Sequence, residues 1–452
     1  MKLILSSKNV KHRFRKGKGY IMNNEYVSNN KVGLSAIIFI MYSLYYISGY
    51  TSPLHNYVIV ALFFLWNLFA FVESRNAYSY AIGNRCFVWL LLYIIYYFFS
   101  SFLVADLVYT LEYVVIFMCL YGTIIQYKYY YYRNNIKEIT QIVFMLTLGF
   151  VIFAIIAIGF YTINPSAARI LAANYYAFDT IAIGGGYSLA FGSSIFAVYL
   201  FEILLRKKYI SKKASLTALV LFILFEILLI KTESTTTLIA NLFGILIGVI
   251  VKGYVDNKGK KGNIIIISAV LIVIFCIIVL NINEIGSYIT DITSNGTENV
   301  LIRRFNRIGQ KMKYEGVQSG YTNYVDERFG TIATSWNTFL QHPFWGVGYK
   351  CGNIFSLLED YGVGTHSELV DILAQFGILG FAFWGMFILT SVRCQNNKLR
   401  CKGWKITLII MLIFNPFRAF HGYVVIFFLI PMIEYLIEKN NYMEEENFYE
   451  NR

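Results

Sequence analysis

The chain of 452 residues is 57% hydrophobic, 18% aromatic and only 14% charged. Soluble domains are near half apolar and about a quarter charged, so a water-soluble enzyme, a disordered protein and a disulfide scaffold are excluded in favour of an integral membrane protein. The net charge of +13 would suit a nucleic acid, yet the basic residues lie between hydrophobic runs, where they read as stop-transfer and lipid-headgroup charge, so no nucleic-acid partner is expected.

Residues 1–32 form a basic tail whose short apolar stretch lacks the hydrophobic region of a cleavable signal peptide. Windows of about 19 residues then predict spans at 33–50, 54–73, 86–104, 107–126, 140–162, 180–204, 215–230, 234–251 and 263–281. A long segment, 282–365, separates these from three further spans at 366–390, 404–420 and 422–438, and 439–452 is an acidic tail. The expectation is therefore an all-α polytopic membrane protein of about 12 transmembrane helices. Its parts are the N-terminal tail, a membrane domain of nine spans (33–281), the long loop, a second membrane portion (366–438) and the C-terminal tail.

Charge orients the spans. With both termini cytoplasmic, 29 of the 39 Lys and Arg fall inside and ten outside, seven of those ten in the 282–365 loop. Long loops translocate largely regardless of charge; without that loop and the N-terminal tail the count is 21 inside against three outside, so both termini are expected inside and the 282–365 loop outside. The tyrosine run Tyr129 to Tyr132, between Lys128 and Arg133, reads as an aromatic belt at the inner interface. Six scattered cysteines show no disulfide framework and no zinc-ligand spacing.

An 84-residue external loop is marked in a chain whose other outer loops are short, and long loops with structure of their own are usually functional. Within it, Asp326 to Leu340 carries Phe329, Ile332, Ala333, Trp336 and Phe339 at helical spacing, which predicts a helix laying that face on the membrane domain. His342 and Pro343 end it. The turn Pro343-Phe344-Trp345-Gly346-Val347-Gly348 follows. At the mouth of the next span stand His366, Glu368 and Asp371, with Glu368 in a first helical turn, where acidic side chains suit the dipole.

The combination R-x7-W-x6-P-x-x-G-x-G (Arg328, Trp336, Pro343, Gly346, Gly348), followed by His366 to Gly380 (HSELVDILAQFGILG), resembles the O-antigen ligase and polymerase superfamily over about 50 residues. The resemblance implies a helical fold of the glycosyltransferase C type, with the external loop capping a cavity open to the outer leaflet. It also implies transfer of a glycan from an undecaprenyl-diphosphate donor to an acceptor hydroxyl, with inversion and without a metal or other cofactor, at an active site on the outer face of the cytoplasmic (inner) membrane. In a polymerase, of O-antigen or capsule, the acceptor is another lipid-linked repeat unit; in a ligase it is a lipopolysaccharide core. Donor and acceptor glycan lipids and membrane lipid are the implied partners, with a chain-length regulator and a flippase as neighbours of such an enzyme.

Such a reaction needs cations against the diphosphate and a group that takes the hydroxyl proton. Guanidinium suits the first because it stays charged and offers a planar fork to phosphate oxygens. Arg328 is the first candidate, by its motif position; a solvated loop arginine or an ion pair with Asp326 or Glu327 is the alternative. Arg169, alone among cations in the outer segment 164–179, is the second diphosphate candidate, against interfacial snorkelling. Arg303 and Arg304, with Arg307, would guide anionic glycan or simply face solvent. His366 is the proton-handling candidate, since imidazole titrates near neutral pH; capping a helix is its plain alternative. Glu368 and Asp371 would orient His366 or bind sugar hydroxyls, Trp336 joins the glycan-binding candidates, and Ser367 stands where many relatives show asparagine.

Buried Glu112, Glu226 and Glu434 are costly in lipid and should face protein or water. They support the rival class, a proton-coupled transporter or glycan flippase, which would have no need of the loop motifs. Between polymerase and ligase no residue decides. The Ile-, Tyr-, Asn- and Lys-rich composition, like that of surface-polysaccharide gene clusters, favours the polymerase.

Overall fold

A computed structural model describes residues 32–48, 55–102, 107–164, 167–168, 187–206, 210–232, 234–256, 287–288, 290–292, 306, 322–348, 363–364, 367–393, 401–414 and 420–450. Among these residues the regular structure is helical: α1 (Leu34–Ile47), α2 (His55–Glu73), α3 (Arg75–Ile82), α4 (Arg85–Phe102), α5 (Leu107–Tyr121), α6 (Thr123–Arg133), α7 (Ile136–Ile163), α8 (Tyr187–Leu205), α9 (Lys212–Thr232), α10 (Thr235–Asp256), α11 (Thr322–Gln341), α12 (Glu368–Arg393), α13 (Gly403–Phe414), α14 (Phe420–Val424), a π-helical turn (Val425–Leu429) and α15 (Ile430–Glu450).

Six of these helices, α4, α7, α8, α9, α10 and α12, are long and apolar enough to cross a bilayer, and α1, α2 and α13 are shorter apolar helices. The chain is thus a polytopic helical membrane protein. The predicted span 263–281 lies outside the described residues, and the count of twelve is not settled by the helices seen. The helices are apolar on both sides. α9 exposes Leu216, Val220, Ile223, Ile227 and Ile230 while burying Phe225, Leu228 and Leu229, the pattern of a helix with protein on one side and lipid on the other. The π-turn is wholly enclosed, with Phe428 against Phe39 at 4.5 Å between ring centres.

Helix ends gather in two groups. At one end the Arg133 guanidinium joins Glu73 (2.6 Å) and Glu138 (3.0 Å), while Ser35 donates to Glu73 through N–H and hydroxyl and the Gly33 N–H donates to Glu138. One charge cluster thereby ties together α1, α2, α6 and α7. At the same end Glu202 of α8 accepts from the backbone N–H groups of Lys402 (2.8 Å) and Trp404 (3.3 Å), capping α13. Tyr435 of α15 hydrogen-bonds Asn134 there. At the opposite end lie the junction of α11 with α12, the start of α8, and Asn241 of α10 paired with Glu226 of α9 at 3.0 Å.

Three sequence expectations are corrected. Tyr129 and Tyr130 are fully buried rather than set in a headgroup belt. The Tyr130 hydroxyl accepts from the Trp66 indole at 3.1 Å and that of Tyr129 from Arg133 at 3.3 Å. Burial, ahead of the opposing pull of Arg133, lifts the Tyr129 phenol above its ordinary range. α6 continues past the predicted span end into the helix junctions, so its rings meet other helices instead of lipid. The tail also differs: α15 runs on to Glu450, helix-forming glutamates extending it past 438. The third correction concerns α11 and is given with the site.

Candidate active site

α11 spans the predicted helix and ends at Gln341, as His342 and Pro343 require. Its buried face differs from expectation. Ser335 and Thr338 are buried, whereas Ala333 and Trp336 are exposed. The helix meets its neighbour through small hydroxyl side chains, which permit close approach and carry hydrogen bonds, while Ile332 and Phe339 are half-buried and Trp336 and Leu340 point away.

Asp371 organises this contact. It is buried, and its carboxylate accepts from the Ser335 hydroxyl (2.6 Å) and from the Ser367 N–H (3.2 Å). Ser335 in turn accepts from the Gly364 N–H at 2.7 Å. The Ser367 hydroxyl accepts from the Val370 N–H at 3.3 Å, so Ser367 and Asp371 form a reciprocal cap at the start of α12 with the acid one residue later than in the usual capping box. Asp371 is therefore a positioning residue that fastens the loop helix to the mouth of a membrane helix.

The two glycine motifs interlock nine residues further along α12. Gly377 breaks the helix with φ 61° and ψ −168°. Four backbone groups beside that break have partners outside α12. Ala374 and Gln375 carbonyls accept from the N–H groups of Val347 (3.0 Å) and Gly348 (2.7 Å), the Ile378 N–H donates to the Pro343 carbonyl (2.8 Å), and the Phe376 carbonyl accepts from the Tyr96 hydroxyl (2.9 Å). The approach leaves no room for side chains: a Cβ on Gly346 would lie 2.3 Å from the Gln375 carbonyl, and one on Gly377 2.3 Å from the Phe344 carbonyl. Irregular backbone at membrane depth is tolerated only where protein or water satisfies it, and here the P-x-x-G-x-G turn supplies the partners.

Glu368 is buried in the first turn of α12 and within electrostatic reach of the Tyr423 phenol. Below it runs a buried chain: the Trp384 indole donates to Tyr121, and Tyr423 donates to the same hydroxyl, each at 3.3 Å. Nothing in the sequence singles out Tyr121 or Tyr423 among 37 tyrosines; only the fold brings them under Glu368.

Of the other predicted site residues, Trp336 is exposed and packs on Phe339 at 5.3 Å between ring centres. Arg328 is on α11, its side chain outside the described residues, and His366, Arg169, Arg303 and Arg304 lie outside them altogether. Glu226 is half-buried on Asn241. Glu434 is buried, and among the described residues neither of its carboxylate oxygens has a hydrogen-bond partner; the side chain of Glu112 is outside the described residues.

A multi-pass helical membrane protein whose loop helix is locked onto a broken membrane helix through glycine-rich backbone pairing is the class that this fold and site define. Residues 217–385 match a family model described as O-antigen ligase, a stretch that contains both interlocked motifs, and the match supports the kinship of that stretch with the O-antigen ligase and polymerase superfamily. Members of that family are glycosyltransferase-like enzymes that act as ligases or polymerases. No curated protein matches the chain.

Proposed function

We propose that this protein polymerises a surface polysaccharide, O-antigen or capsular, by joining undecaprenyl-diphosphate-linked repeat units on the outer face of the cytoplasmic membrane. The observation that carries this reading is the Ser335–Asp371–Ser367 bridge. It links the two motif segments that hold Arg328, seven residues before Ser335, and His366, one residue before Ser367.

In the proposed reaction the acceptor hydroxyl oxygen attacks the anomeric carbon of the donor sugar, and the bond from that carbon to the diphosphate oxygen breaks with inversion. The lipid diphosphate leaves with the electron pair. Arg328, with Arg169, stabilises its growing charge; a positioned cation in a site of low dielectric lowers such a barrier by several kcal/mol. His366 takes the hydroxyl proton, Glu368 orients it, and Trp336, Arg303 and Arg304 contact glycan.

The test supplies purified protein in detergent with a short lipid-diphosphate-linked repeat unit, with and without EDTA. A ladder of lengthening glycans that survives EDTA is the expected result, with His366→Ala slower by about 10²- to 10⁴-fold and Arg328→Ala inactive. The family description names a ligase, and that second reading predicts no ladder but transfer of the glycan to an added lipopolysaccharide core. Translocation of the lipid by vesicles, with neither product formed, would instead support the flippase or transporter class and turn attention to Glu226 and Glu434.

A further inference from the structure

The end of the loop helix exposes a block of large apolar side chains. Trp336 is 44% and Leu340 58% exposed, one turn apart on α11, and Phe344 and Trp345 in the following turn are 65% and 67% exposed. Contiguous apolar surface of this kind marks an interaction site, and its position shows what covers it. Trp345 stacks on Tyr96 of α4 with ring planes 12° apart, and its carbonyl accepts from the Tyr96 hydroxyl at 3.2 Å. Tyr96 lies six residues before the end of α4, which at 1.5 Å per residue is about 9 Å along that helix. Leu92, Ile95 and Phe99 form an exposed stripe beside it on α4, and Ile378 and Leu379 are exposed just past the break in α12; both helices are long and apolar enough to cross a bilayer, so these apolar faces are the ones that would meet lipid.

The apolar block is therefore continuous with two lipid-facing surfaces and sits about one interfacial depth below the helix ends. Amphipathic elements that lie in the plane of a membrane bury their apolar side about 5–10 Å into the boundary between headgroups and acyl chains, and tryptophan settles at that level. We propose that the C-terminal half of α11 and the Phe344–Trp345 turn form an interfacial anchor whose partner is bilayer lipid. The predicted external loop is on this reading partly embedded. Its embedded end would hold the P-x-x-G-x-G turn against α12 whatever the reaction, so the inference stands apart from the proposed function.

The test needs no substrate. The full chain is placed in nanodiscs containing phosphatidylcholine brominated near the top or near the end of its acyl chains, and the emission of Trp345→Phe is subtracted from that of the unaltered protein to isolate Trp345. Phenylalanine keeps a ring on Tyr96, and a parallel Trp336→Phe subtraction gives an independent signal should the first variant fail to fold. The isolated emission should be quenched about twofold more by shallow bromines than by deep ones and little by aqueous iodide, as the interfacial depth requires. Quenching by iodide without effect of either lipid would show a water- or glycan-facing surface. Quenching by neither would show a protein partner, and stronger quenching by deep bromines a turn inside the hydrocarbon. Any of these three overturns the proposal.

Discussion

Gly377 carries the most consequential backbone conformation at the site, because its φ of 61° and the Phe344 carbonyl 2.3 Å from any added Cβ act together. An L-residue at this φ and ψ enters a region essentially restricted to glycine, at about 1–3 kcal/mol, and the clash requires the Pro343–Gly348 turn to move as well. Gly377→Ala should therefore lower the thermal midpoint of the purified protein and open the turn to protease. Gly385 of the same helix has nothing within 4 Å of an added Cβ, so Gly385→Ala should be neutral or stabilise by up to about 1 kcal/mol, since alanine loses less backbone entropy in a helix. Equal effects in the two variants would show that the interlock is not what holds the turn. The chain order of these glycines is plain in the sequence, but their mutual contact is not, because residues 346 and 377 meet through backbone pairing that no periodicity encodes.

Elements were legible to the degree that apolar periodicity specifies them. The limits of α11 were set by His342 and Pro343, and α7, α9 and α10 occupy their expected windows. Which face of α11 is buried was not legible, because hydropathy ranks Trp336 above Ser335 while a membrane protein offers lipid as well as protein to an apolar side chain. Tyr129 and Tyr130 misled for the converse reason: an amphipathic ring suits an interface, and equally suits a buried site where a guanidinium or indole meets its hydroxyl. Glu202 escaped notice in a predicted span, yet it caps α13 from a distant helix, accepting from Lys402 and Trp404 with Arg206 3.9 Å away. Removing a buried acceptor leaves its donors unsatisfied at a cost of about 1–3 kcal/mol each. Glu202→Ala should thus destabilise the protein by at least about 2 kcal/mol in a detergent thermal-shift assay, a figure that a charge at a helix N-terminus alone can reach. Glu202→Gln, which keeps one oxygen acceptor, should lose about half as much; an equal loss would assign the effect to charge.

The arrangement of helix ends makes a demand on the whole molecule. Gly33, Glu73, Arg133 and Glu138 meet at one end, and Glu202 with Lys402 and Trp404 shares it, while Ser335, Asp371, Tyr96 and Trp345 meet at the other. Ion pairs and short backbone bonds cannot reach across a hydrocarbon layer of about 30 Å, so each group must lie on a single side of the membrane. On the topology expected from lysine and arginine counts the first group is cytoplasmic. Single cysteines test the assignment in a chain freed of its native six: one at Gly83, in the exposed turn between α3 and α4, and one at Gly330, exposed on the N-terminal half of α11 away from the proposed anchor. A membrane-impermeant maleimide added to intact cells should label Gly330→Cys and leave Gly83→Cys unlabelled until the cells are opened. The opposite pattern would invert the protein and move the Asp371 junction to the cytoplasm, where the donor glycan proposed for it would have to be presented from the inner leaflet. Labelling of both from outside would contradict the packing itself, since α4 starts two residues after Gly83 and its 18 residues, at 1.5 Å each, carry the chain about 27 Å to the end beyond the Tyr96–Trp345 contact.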